Sequence, residues 1–302
     1  MADQVGIEEI NARLNNIRSV EPILGAMRTI SLGSWQSALN RQRRLYQFSQ
    51  RLTGLLPILV PVLKQREPKP ILSRRRRSAE AGPTSLLVLV IGSERGLCGA
   101  FNSSLLRYVE EVLERYRAEG IEIQLATLGS RAARGLQRDG YVIDSARALP
   151  MTKVPTVDFA RELSREWLIR YEASEFDAVD VIYNSYRNST FYEPVVFRLI
   201  PPALPVLEQD ALPWPPPYVD TDLVALSVRL LAMWTITETY RILLSSAAAE
   251  HSARYQLMEG ATRNSSRLIA ELTLALQNAR QQAITAEMQE LAAGAGLLAT
   301  GP

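Results

Sequence analysis

The 302-residue chain holds one cysteine, Cys98, and one histidine, His251. A single thiol excludes an internal disulfide and any cysteine-cluster metal site. A single imidazole excludes a histidine-rich zinc site and leaves a serine triad without its usual setting. Charge of one sign is missing too: 34 Lys+Arg face 32 Asp+Glu, a net +2, so no global field marks a nucleic-acid binder. No window approaches 18 uncharged apolar residues, so no membrane span is expected, and the polar, acidic opening MADQVGIEEINARL is unlike a secretory signal. Proline is absent from Val219 to Gly301, and before Gly294 the lone glycine there is Gly260. What is present, 47% hydrophobic and 22% charged residues, is the composition of a folded protein with few catalytic side chains.

The proline-free segment reads as one helix over 219–302, with Asp220 as N-cap and Asp222 in the first turn. Alternating steps of three and four run through Leu223, Leu226, Leu230, Met233, Thr237, Tyr240, Leu244 and Ala247, then from Met258 to Ala279, with a polar interruption at His251 and Arg254. Such a helix is roughly 110 Å long, and something must cover its apolar stripe. The segment 1–63 has the same character. Ile7, Ile10, Leu14 and Ile17 lead to Ile23, Met27, Ile30 and Ser34, then Leu45, Phe48, Leu52 and Leu55, with an end expected at Pro57 and Pro61 and a kink at Pro22–Gly25. An antiparallel coiled coil of the two terminal helices buries both stripes.

Residues 64–84, with Arg74–Arg77, Pro68, Pro70 and Gly82-Pro83, read as a basic linker. Residues 85–200 read as a doubly wound, Rossmann-like α/β domain. Leu86–Ile91 is its buried first strand, Asn102 caps a helix, and Ile121–Leu128, Tyr141–Ile143, Ala178–Tyr183 and Pro194–Ile200 supply further strands. Helices are expected over Ser130–Arg138 and Thr156–Tyr171. A Pro-rich connection, 201–218, returns the chain to the long helix.

The turn Gly92–Asn102 follows a strand and opens a helix, the place where backbone N–H groups meet a phosphate. Its glycine spacing is neither the dinucleotide fingerprint nor a P-loop. An α/β nucleotide- or phosphate-binding protein with a coiled-coil extension stands as the alternative reading, and a coiled-coil adaptor with a basic linker as a third. Cys98, at a helix start without a nearby base, reads as a buried thiol rather than a nucleophile. The terminal stretch Leu291–Pro302 carries no side-chain charge, so its apolar tip needs a partner.

Ser93–Asn102, SERGLCGAFN, resembles the [ST]-[DE]-[RK]-G-L-C-G-x-[FLY]-N segment of the gamma subunit of F-type ATP synthases. Asn278–Glu290 followed by Ala293-Gly-Ala295 resembles that family's terminal motif; Glu250–Arg254, Met258–Asn264 and, more loosely, Arg13–Met27 fit as well. The resemblance implies a central-stalk rotor subunit coupling ion flow through the membrane c-ring to catalysis by the alpha and beta subunits. It implies no catalytic, cofactor or metal site of its own. Partners would be three alpha and three beta subunits, epsilon and the c-ring, with no nucleic acid and no membrane span, at the cytoplasmic face of a bacterial membrane. It places alpha/beta contacts at Met27, Arg254, Arg280, Gln281, Thr285, Glu287 and Glu290, an apolar bearing tip at Leu291, Leu297 and Leu298, and the family-motif turn at Arg95, Gly96, Leu97, Cys98 and Gly99. Ser19-Val20, Leu24 and Ser34 depart from the family pattern, which leaves room for a divergent or second-copy variant and for Na+ in place of protons.

Overall fold

Side chains of Leu86–Ile91 point alternately to two faces of a sheet, and both sets are fully covered. That strand, β1 (Ser85–Ile91), is the middle of a five-stranded sheet in the computed structural model, which describes residues 2–64, 82–150, 154–202 and 222–294. Arg74–Arg77, Asp220, Leu297 and Leu298 and nearly all of both expected connections fall outside those residues. The chain divides into two units, Ser31–Arg254 and a helical unit of Met1–Ile30 with Tyr255–Pro302.

In chain order the elements are α1 (Ala2–Lys64), β1, α2 (Phe101–Ala118), β2 (Glu122–Leu128), α3 (Ser130–Arg138), β3 (Ser145–Arg147), α4 (Val157–Glu172), β4 (Ala178–Tyr186), β5 (Tyr192–Ile200) and α5 (Leu223–Gly294). The sheet order is β3-β2-β1-β4-β5, parallel except for the antiparallel β5 edge. On one face Leu86, Val88 and Val90 meet Leu105, Val109 and Val112 of α2 and Ala132 and Leu136 of α3. On the other, Leu87, Leu89 and Ile91 meet α4 through Leu163 and Trp167 and α5 through Leu231, Trp234 and Leu243. Helices on both faces make the sheet doubly wound. An ion pair from part-exposed Arg198 to buried Asp180 ties the edge strand to its neighbour: Arg198 bonds both carboxylate oxygens of Asp180, and the Tyr116 hydroxyl donates to Oδ2 at 2.6 Å.

Several local expectations change. Tyr141–Ile143 is not a strand; β3 lies at Ser145–Arg147, after the Asp144 carboxylate accepts from the Leu125 N–H at 2.7 Å. Tyr141 and Ile143 still pack on the α2 face of the core, which gave them a strand-like pattern. Asn102 does not cap α2, because its amide turns back to Ser93. Thr156 does cap α4, accepting from the Phe159 N–H. The α5 helix begins at Leu223, with the Asp222 carbonyl accepting from the Leu226 N–H. Neither Pro22–Gly25 nor Pro57 and Pro61 break α1. Each proline removes one backbone bond, and the bonds on either side carry the helix on.

The α1 seam also differs. Ile10, Leu14 and Ile17 continue in three-four steps not through Ile23 and Ile30, which are exposed, but through Glu21, Leu24 and Arg28, all at least half-buried. Within the helical unit those polar seam residues are paired. Ser266 Oγ donates to Glu21 at 2.8 Å, and Arg28 Nη1 to Glu259 at 2.8 Å, so seven residues forward on α1 match seven back on α5, an antiparallel pair. Arg28 and Arg263 hold the Glu259 carboxyl below the usual range by their hydrogen bonds. In the Ser31–Arg254 unit the α1 seam continues through Ser31, Ala38, Ser49 and Leu52, with Ser49 Oγ donating to Glu238 at 2.7 Å and Trp234 Nε1 to Thr53 at 3.3 Å. Here α5 is covered nearly all round, so a single heptad stripe does not describe it. Leu231 and Trp234 are buried, whereas the expected seam residue Met233 is exposed.

Candidate functional site

The family-motif turn closes on α5. Leaving β1, Gly92 lies so close to α3 that a Cβ there would stand 2.5 Å from that of Ala132. The Ser93 N–H donates to Asn102 Oδ1 at 3.0 Å, and Asn102 Nδ2 donates to Ser93 Oγ at 2.8 Å, pinning the start of the loop to the first turn of α2. Glu94 reaches across to α3, where its carboxylate accepts from the Ser130 N–H and hydroxyl and from the Leu149 N–H. Burial works to raise its pKa, but these bonds outweigh it and hold the group below the usual carboxylate range. Leu97 and Gly99 both take left-handed backbone, φ 60° and 59°. For Leu97, which is exposed, this costs on the order of 1 kcal/mol.

Cys98 is buried against Phe101 and Ala249. The Asn102 amide donates to its sulfur at 3.4 Å. Burial, with a smaller contribution from Glu250, raises its pKa despite the Ser93 contact, so the thiol is held protonated, the reverse of what a nucleophile needs.

From α5, Arg254 extends to the turn and is itself only 7% exposed. Its guanidinium donates to the carbonyls of Gly96 and Arg95 at 3.3–3.4 Å and to Glu250 at 2.6 Å. Nη1 lies 3.2 Å from His251 Nδ1. Arginine can only donate, so Nδ1 is the acceptor and the imidazole is neutral. Burial first, and Arg254 second, lower the His251 pKa to about 4. Burial pushes the Glu250 carboxyl up, against the pull of Arg254. The turn therefore presents carbonyl oxygens to a cation already in place. A phosphate cradle presents N–H groups to an anion, so this chemistry runs opposite to the nucleotide reading.

The remaining sequence-picked residues lie in the helical unit. Arg280, Gln281, Thr285, Glu287 and Glu290 are all exposed on α5, as is Leu291. At 3.6 residues per turn, the exposed Ile284, Met288 and Leu291 fall within about 60° of one another. Arg280, Glu287 and Glu290 lie on one flank of that stripe and Gln281 and Thr285 on the other. On α1, half-buried Met27 lies in step with exposed Val20, Ile23 and Ile30, a second outward apolar stripe. The face of Ile23, Met27 and Ile30 was missed as outward because apolar residues at three-four spacing read as seam; Ile284 and Met288, beyond the expected α5 seam, were not singled out beside Leu291. Among the described residues no helix is long and apolar enough to cross a membrane, and no cluster of His, Cys, Asp and Glu could hold a metal.

Comparison with known proteins gives one consistent family. The family model for ATP synthase matches residues 6–298. The ATP synthase gamma chain of Pelotomaculum thermopropionicum is 30% identical over 293 residues, covering 97% of this chain and 99% of the relative. That of Anaeromyxobacter sp. (strain Fw109-5) is 31% identical over 302 residues, with 97% and 99% covered. Among solved structures, a chain of the Euglena gracilis mitochondrial ATP synthase (OSCP/F1/c-ring) superposes with a TM-score of 0.65 at 15% identity, covering 98% of this chain and 95% of that one. A chain of the Tetrahymena thermophila mitochondrial ATP synthase central stalk and c-ring gives 0.57 at 20% identity, with 79% and 99% covered. These two show the shared fold. With the motif turn, the doubly wound sheet and the paired terminal helices in place, the chain belongs to the ATP synthase gamma-chain family.

Proposed function

We propose that this chain is the rotor of an F-type ATP synthase, turning within a ring of three alpha and three beta subunits and meeting the epsilon subunit and the membrane c-ring through its α/β unit. It works peripherally at the cytoplasmic face of a bacterial membrane and coupled to protons or Na+. It performs no chemistry; an asymmetric shaft makes different contacts with each catalytic subunit, and differential contact is what biases one conformation over another. In domain terms, 1–63 and 219–302 supply the shaft helices, 85–200 the base, and 64–84 and 201–218 the connections.

The observation that carries the reading is the exposed apolar stripe Ile284, Met288 and Leu291 flanked by polar residues on both sides. A helix end of that kind is costly in water and suits a sleeve that excludes it, with Arg280, Gln281, Thr285, Glu287 and Glu290 exchanging hydrogen bonds with the sleeve as it turns. The outward stripe around Met27 supplies the corresponding contact on α1. Arg254 is buried and bonded to the motif turn and to Glu250, which favours an indirect contact with alpha or beta, through what it positions.

The test is ATP-driven proton or Na+ pumping by the assembled enzyme carrying Arg280→Ala, Gln281→Ala, or Ile284→Glu with Met288→Glu. Each is expected to lower coupled turnover while the α/β unit stays folded. Wild-type pumping in all three would overturn the contact assignment.

A further inference from the structure

Towards its Arg254 end, past the buried Ile242, Leu243 and Leu244, the α5 segment that crosses the α/β unit becomes smooth: Ser245, Ser246, Ala247, Ala248 and Ala249 are all buried. Small side chains allow close approach but present no ridges to lock into grooves. Apolar burial is non-directional, so it resists separation far better than rotation of such a cylinder about its axis. Over this smooth stretch directional bonds have to set the angle, and they lie on opposed sides; further back on α5, Ser164 Oγ donates to Thr239 Oγ1 at 2.9 Å. Arg254 donates to the carbonyls of the Arg95–Gly96 turn. Ser252 Oγ donates at 2.5 Å to the carbonyl of Ser189, in the β4–β5 hairpin. Seven residues earlier, on the face of Ser252, Ser245 Oγ accepts from the Tyr186 N–H at 3.1 Å. Two residues along a helix are about 160° apart, so the motif turn and the hairpin grip α5 from opposite sides.

We infer that Arg254, Ser252 and Ser245 form a torsional grip that transmits torque between the α/β unit and α5, and that the family-motif turn exists to supply one jaw of it. They act as positioning residues. The inference rests on the rotor reading above and adds the element through which the rotor carries load.

A grip needs both jaws, which separates it from a purely structural role. Removing one side leaves the helix seated against the other; removing Ser252 with Arg254 leaves Ser245 as the one remaining member of the grip and loosens the angle. Stability lost through independent contacts would instead add.

The experiment uses the full chain assembled with its alpha and beta subunits, the ring fixed to a surface and a rod attached through Val142→Cys, which is 83% exposed while Cys98 is 2% exposed. The angular variance of the resting rod is compared for wild type, Ser252→Ala, Arg254→Met and the pair. The expected result is little change for Ser252→Ala, and for the pair a rise of about two-fold or more that exceeds the sum of the single effects, with tryptophan-fluorescence unfolding midpoints that simply add. Ser252→Ala removes one hydroxyl, so it keeps the test open if Arg254→Met fails to assemble: within that variant, an Arg254→Lys partner must show the same excess. Unchanged variance in a rotating double variant, or a rise that only tracks the lost stability, overturns the grip. A wild-type chain that neither joins the ring nor rotates overturns the rotor reading itself.

Discussion

Gly129 is where the α/β unit is most sensitive to a single methyl group, more so than at any glycine of the family motif. Its backbone sits at φ 93° and ψ 126°, a conformation essentially reserved for glycine, so alanine there costs about 1–3 kcal/mol in strain. A Cβ would also stand 2.8 Å from the Gly92 carbonyl oxygen and 2.9 Å from Ser93 carbonyl atoms, all backbone, which cannot step aside as a side chain would. Overpacking of that kind adds about 1–3 kcal/mol. Gly129→Ala is therefore expected to destabilise by about 2–6 kcal/mol in sum. Gly99→Ala, at φ 59° with nothing within 4 Å, should cost only about 1 kcal/mol. Gly25→Ala, on an open helical site, should stabilise by about 1 kcal/mol. Urea unfolding of the full chain followed by tryptophan fluorescence suits Gly129 and Gly99, because Trp35, Trp167 and Trp234 all lie in the same Ser31–Arg254 unit; circular dichroism follows Gly25. A Gly129→Ala cost no larger than that of Gly99→Ala would refute the reasoning.

Three further outcomes follow from buried groups. Asp180→Leu removes the carboxylate partner of the part-exposed Arg198 and should cost about 2 kcal/mol, while Asp180→Leu with Arg198→Met should recover part of that loss; additive losses in a double-mutant cycle would contradict this. Cys98 should react with a thiol reagent far more slowly than a free cysteine at pH 8, and Asn102→Ala should speed it by loosening the turn; fast labelling of the wild type would count against the buried, protonated thiol. His251 has a folded pKa of about 4 against an ordinary 6.5, so the unfolded chain binds the extra proton between those values. Its contribution to stability is complete above pH 6.5 and is lost as pH falls towards 4, by about 2 kcal/mol after allowance for partial exposure. Glu250, shifted upward, works in the opposite sense, so the check is the difference between wild type and His251→Gln over that range; parallel curves would remove His251 from the account.

The long helices were legible because proline and glycine are scarce in 219–294 and the three-four spacing is sustained. Four of the five strands were legible as apolar runs, β3 at Ser145–Arg147 was not, and Ser130–Arg138 as a helix was read to the residue. The seam of α1 was not, because Glu21 and Arg28 hold two of its positions and their partners lie some 230 or more positions away. Apolar Ile23 and Ile30 then took their place in the reading. The motif turn was located by its residues, but its direction of polarity was not. Glycines between a strand and a helix fit either a phosphate or a guanidinium, and the choice depends on Arg254, 158 residues beyond Gly96. Glu94 capping α3 and Asn102 pinning Ser93 were missed for a similar reason. Local patterning reports which face is apolar, not which distant backbone group a polar side chain completes.

Co-expression of this chain with the alpha and beta subunits of the same genome, followed by native mass and ATPase activity, tests the central claim most directly. The account predicts a complex of three alpha, three beta and one copy of this chain, with multi-site turnover that depends on it and falls when Ile284, Met288 and Leu291 are made acidic. A chain that remains alone, or joins without altering turnover, would contradict it.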